Sequence, residues 1–135
     1  MRFGQPVAPL DVLAGMEVRD LQLVVRSSHN VLIEGPETPV QALLHAMAPT
    51  LRRPVYPWCR GPLPVRCATL LVRDPAMVSP ADQLSLLDWN NQAYARSRLI
   101  TVSSIRLYSC VERGEFLSDL YYRLNTVFIR LDGLD

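Results

Sequence analysis

Four short runs of mostly aliphatic residues, at 31–33, 68–72, 99–103 and 126–131, alternate with stretches of helical spacing and leave this chain few folds to adopt. Each run is bounded by turn-forming or polar residues and lacks the strict apolar–polar alternation of a half-exposed strand, as expected of strands covered on both faces. Between them, apolar residues recur every three or four positions. Leu10, Leu13, Ala14, Val18, Leu21, Val24 and Val25 predict a helix over 10–27, and Val40, Leu43, Leu44, Met47 and Leu51 a second. Ser79, Pro80 and Asp82 supply an N-cap, a first-turn proline and an acid at N3, opening a helix that should bury Leu84, Leu87 and Trp89. Leu107, Cys110 and Val111 predict a short helix closed by Gly114, and Phe116, Leu120 and Leu124 another. Strands separated by helices need crossover connections, which gives an α/β fold with a mainly parallel sheet flanked by helices. The pattern does not order the strands. Residues 49–64 hold five prolines and read as an irregular connection, in which Val55, Tyr56 and Trp58 can pair only briefly.

Composition narrows the chemistry. At 135 residues the chain is expected to form one domain, 1–135. Hydrophobic residues make up 49% and charged residues 20%, a globular balance, and the net charge of +1 gives no electrostatic reason to expect direct DNA or membrane binding. All 14 basic residues are arginine, which excludes mechanisms that need a lysine ammonium or Schiff base. Cys59, Cys67 and Cys110 are scattered and odd in number, fitting a reduced, cytoplasmic setting. Together with His29 and His45 they lack ligand spacing, so no metal site is expected. No apolar signal core or membrane-length run is present.

One segment is far more specific. Phe116-Leu117-Ser118-Asp119-Leu120-Tyr121-Tyr122-Arg123-Leu124-Asn125, followed by 126–131, resembles the FREDLYYRLN-VVPIRL segment of sigma-54 interaction domains, the AAA+ ATPase cores of bacterial transcription activators. Val31-Leu32-Ile33-Glu34-Gly35 resembles the strand and first glycine of their P-loop. Ala68 to Asp74 resembles the Walker B strand, Gln83 to Leu87 the helix after it, and Arg98 to Ser104 the sensor-one strand. The resemblance covers roughly residues 15–131. It implies a P-loop NTPase-like (AAA+) sheet, here truncated before the helical lid, with the strands at 68–72 and 99–103 central and adjacent.

The departures from that pattern bear on function. A P-loop holds phosphates with glycine-rich backbone N–H groups, a lysine and a Mg²⁺-binding hydroxyl. Aligned from Gly35, through Thr38, the second glycine falls on Val40, the lysine on Gln41 and the hydroxyl on Ala42, while Pro36 and Pro39 remove two donors. The Walker B aspartate falls on Arg73 and the catalytic glutamate on Asp74. A unit charge contact near 4 Å is worth about 4 kcal/mol at an effective dielectric of 20, so the reversal at Arg73 is large. The sensor pair becomes Ser103 and Ser104, and of two arginine fingers one position is Leu117 and only Arg123 matches. About 25 residues separate the end of the P-loop-like stretch at Ala42 from the Walker B-like strand, too few for the family's sigma-contacting loop.

These substitutions lead to the expectation of a non-enzymatic domain without catalytic residues, without metal and without cofactor, acting through a protein partner such as a related AAA+ activator. Weak ATP or ADP binding without hydrolysis is the alternative. The expected state is a monomer or weak dimer. At the level of single residues, Arg73 is expected to pair with Asp74 or Glu37, and Arg123 with Asp119 four positions before it. Tyr121 and Tyr122 are expected in the core and at its rim.

Overall fold

The structure, a computed structural model, describes residues 29–93 and 97–131. The helix expected over 10–27 lies outside them. Five strands form one parallel sheet: β1 (Val31–Glu34), β2 (Val55–Trp58), β3 (Thr69–Arg73), β4 (Arg98–Ser103) and β5 (Val127–Arg130), in the order β2-β3-β4-β1-β5. The helices are α1 (Glu37–Met47), α2 (Pro80–Ala93), α3 (Leu107–Glu112) and α4 (Ser118–Leu124). β4 is central and β3 lies beside it with β2 outside, so both strands expected in the interior are there.

The fifth strand comes from the proline-rich stretch. Thr69 N–H donates to Pro54 O at 3.2 Å, and the Val55↔Thr69 register then turns the backbone of Val55 and Pro57 toward the free edge. Pro57 therefore costs the ladder no hydrogen bond, which is the position where a strand tolerates proline.

The connection from β1 leaves toward β2, whereas that from β4 crosses β1 to reach β5. Right-handed crossovers therefore place α1 on one face of the sheet and α2, α3 and α4 on the other. Alternation along the strands feeds two cores. Val31, Ile33, Ile100, Val102 and Ile129 pack with Val40, Leu43, Leu44 and Met47 of α1. Leu32, Leu70, Val72 and Leu99 pack with Leu86, Leu107, Leu120, Tyr121 and Leu124.

Caps match the local sequence. Ser79 Oγ accepts from Asp82 N–H at 3.1 Å, opening α2. Gly114, at φ +74°, donates to Val111 O while Glu115 donates to Cys110 O, a Schellman ending for α3. The inward face of α2 differs from the expectation. Leu84 is exposed, Leu87 and Trp89 are half-buried, and Gln83, Leu86 and Asn90 are buried. Gln83 Nε2 donates to Val78 O and Glu115 O, and its Oε1 accepts from Leu117 N–H. The polar side chain turns inward because it satisfies backbone groups of the turn before α2 and of the loop between α3 and α4 that would otherwise be buried unpaired. Tyr121 is in the core and Tyr122 at its exposed rim, as expected.

Candidate functional site

β1 and β4 are neighbours whose connections leave on opposite faces of the sheet. In an open α/β sheet that is where a crevice forms beyond the carboxyl ends of the strands. A cleft of about 140 Å³ lies there, lined by Gly35, Glu37, Val40, Gln41, Arg73, Asp74, Val102, Ser103 and Ser104. Six of the residues singled out from sequence thus converge: Gly35, Gln41, Arg73, Asp74, Ser103 and Ser104.

Thr38 and Ala42 do not line the cleft. They lie within α1, which starts at Glu37 with only Gly35 and Pro36 between it and the end of β1. The stretch aligned with a phosphate-binding loop is therefore helix, and Val40 N–H already bonds to Pro36 O at 3.1 Å. With proline at 36 and 39, the first turn keeps only the N–H groups of Glu37 and Thr38 outside the helical ladder. Gly35 N–H is engaged too, donating to Ser103 O at 3.1 Å.

Side chains make the cleft mixed in charge. Glu37 and Asp74 contribute two carboxylates and Arg73 one guanidinium. Arg73 forms no ion pair with either among the described residues, contrary to expectation. Asp74 sits at φ +49° and turns the chain sharply from β3 into the following turn, its N–H held by Val102 O. Ser103 is buried and its hydroxyl donates to Ile105 O and accepts from Ile105 N–H, so it shapes the turn after β4.

Arg123 is elsewhere. It is exposed on α4 and borders a separate hollow with Leu87, Asn91, Asp119 and Tyr122. No ion pair joins it to Asp119 among the described residues. Its backbone carbonyl accepts from Asn30 Nδ2 at 2.8 Å, which ties the end of α4 to the start of β1.

Sequence reasoning missed Glu34. It is 1% exposed at the end of β1, its Oε2 accepting from Leu107 N–H at 3.0 Å and its Oε1 paired with Arg130 at 3.3 Å. A carboxylate at a helix N-terminus satisfies an orphan donor, so Glu34 fixes the start of α3 beside the cleft. The available signal was an acid closing an otherwise wholly apolar strand. Among the described residues no group of three or more potential ligands is arranged to hold a metal ion, and no helix is long and apolar enough to cross a membrane.

No protein-family profile and no curated protein sequence matches the chain. Solved structures do. The ATP complex of NtrX from Brucella abortus superposes with a TM-score of 0.72 at 13% identity, over 96% of this chain and 36% of that one. The ADP complex gives 0.68 at 15%, over 96% and 37%. The P-loop NTPase domain of a sigma-54 activator from E. coli gives 0.64 at 16%, over 84% of this chain and 89% of that domain. The chain spans under two fifths of NtrX and nearly the whole of the isolated domain. It has the fold of a sigma-54 activator P-loop NTPase domain, as the resemblance in its sequence implies.

Proposed function

We propose that this chain, built on the P-loop NTPase fold of sigma-54 activators, is a non-catalytic regulatory or interaction domain. The observation that carries this reading is the start of α1 at Glu37, which leaves no phosphate-cradling loop. Phosphoryl transfer is catalysed almost entirely by positioning and charge neutralisation. Here the lysine position is Gln41, the metal-binding carboxylate position is Arg73, and the cleft carries two acids against one base. A nucleoside triphosphate meets a formally negative site beside a first helical turn in which Pro36 and Pro39 offer no N–H.

The test is calorimetric titration with ATP and ADP, with and without Mg²⁺, beside a steady-state phosphate-release assay. We expect no phosphate release above a heat-denatured control and no nucleotide Kd below about 1 mM. Gln41→Lys with Arg73→Asp should not restore hydrolysis, because the helical start at Glu37 and the prolines remain. Steady release by the purified parent overturns the reading.

Weak binding of ATP or ADP without hydrolysis is the second reading. It is favoured by the cleft's place at the switch point of the sheet and by an Arg73 without an ion-pair partner there. Titration separates the two. In either case the partner is a protein, and a related AAA+ activator is the candidate, accepting this domain through the face that carries Arg123. Arg123→Glu should abolish co-purification with a tagged sigma-54 activator, and unchanged capture removes that face from the proposal. The reading places the protein in the cytoplasm as a monomer or weak dimer, with no direct contact to DNA.

A further inference from the structure

A strongly basic strip borders the free edge of β2, away from the cleft. Residues 52–66 hold Arg52, Arg53, Arg60 and Arg66 and no acid, whereas the other 120 residues hold ten arginines and 13 acids. All four arginines are exposed. The ion pairs among the described residues, Arg113–Glu115 and Arg130–Glu34, involve none of them.

The topology sets three of them at one end of β2 and one at the other. Arg52 and Arg53 precede β2, and Arg60 follows it. Arg66 comes just before β3, whose parallel pairing Val55↔Thr69 brings it to the same end as Arg52 and Arg53. Among the described residues β2 pairs only with β3, which leaves its other edge open there. Its four residues span about 13 Å, with half-exposed Tyr56 between the charged ends. Because Pro57 has no N–H, Val55 offers the only strand donor on that edge, and a partner must be recognised mainly by side chains. The arginines also crowd their own kind. Arg98, buried at the start of β4, is pushed down to about 10 by burial first and by the charge of Arg52 second. An anion bound near Arg52 relieves that repulsion.

We propose that this edge docks an extended acidic segment of a partner protein, its carboxylates gripped at both ends of β2 by Arg52, Arg53, Arg60 and Arg66. Guanidinium forks suit carboxylates, and the strip is one strand long. Nucleic acid fits less well. At most four phosphates are neutralised, while the remainder of the chain, net negative, repels the rest of a polyanion. The strip shares no residue with the cleft, so the nucleotide titrations above can fail or succeed without deciding this proposal.

Fluorescence anisotropy tests it with a labelled peptide of alternating glutamate and alanine, about ten residues long to cover the strip. Its glutamine counterpart and an oligothymidylate of equal charge are the comparisons. The glutamate peptide is expected to saturate, with a Kd below about 1 mM at low salt, and the glutamine peptide to show no binding. Arg60→Glu with Arg66→Glu should weaken binding at least about tenfold, while Arg106→Glu with Arg113→Glu, the same charge change elsewhere, should weaken it less than about threefold. Should the first pair fail to fold by circular dichroism, Arg60→Gln with Arg66→Gln carries the same expectation. Equal losses in the two pairs, no saturation by the glutamate peptide, or tighter binding of oligothymidylate overturns the proposal.

Discussion

A β-carbon at Gly35 would lie 2.8 Å from Cβ of Leu131, closer than side chains tolerate. The glycine that aligns with a P-loop glycine thus has a packing reason to be there, since the end of β5 passes directly over it. Gly35→Ala should destabilise the protein by about 1–3 kcal/mol, read as a lower urea midpoint. Thr101 is the opposite case. Its hydroxyl is the one buried side-chain polar atom among the described residues without a hydrogen-bond partner. Thr101→Val should be neutral or stabilising by up to about 1 kcal/mol in the same urea experiment. A loss larger than that would reveal a partner for the hydroxyl. Burial pushes the Cys67 thiol up, and a hydrogen bond from Ser97 partly offsets it. A raised folded-state pKa means that stability is fully present below the unfolded thiol's value, about 8.5, and declines as pH rises through it. Cys67→Ala should flatten this part of the pH–stability curve.

At the scale of elements, α2 shows why spacing alone misplaces a helix face. Leu84 and Leu87 suggest one inward stripe, yet Gln83, Leu86 and Asn90 are the buried positions. Gln83 makes three hydrogen bonds to backbone of the turn before α2 and of the loop between α3 and α4. Gln83→Leu should cost about 2–4 kcal/mol through those unpaired groups, and Leu84→Ala, on the exposed side, less than about 0.5 kcal/mol. Equal effects in thermal melts would contradict this assignment of faces. β2 makes a similar point. Five prolines mark residues 49–64 as irregular, and only the neighbouring β3 reveals that Pro57 meets the free edge.

The described residues form one sheet with a core on each face, and β4 contributes to both, through Ile100 and Val102 on one side and Leu99 on the other. Native-state hydrogen exchange should therefore be slowest in β4 and faster in the edge strands β2 and β5. Fast exchange in β4 would mean that the two cores open separately. Much of this architecture was legible beforehand, because burial on both faces writes continuous aliphatic runs and crossovers write helical spacing between them. Residues 116–131 carried the family likeness most specifically, and the P-loop, Walker B and sensor-one matches found Gly35, Gln41, Arg73, Asp74, Ser103 and Ser104 of the cleft. What the sequence determined alone was local: element types, caps, and the absence of any lysine to meet a phosphate. Tertiary structure decided the rest. Strand order, the starting point of α1, the inward turn of Gln83, the burial of Glu34 against Arg130 and the failure of Arg73 and Arg123 to find their expected acids depend on which segments meet in space. Those contacts join residues far apart in the chain, and no periodicity within a segment encodes them.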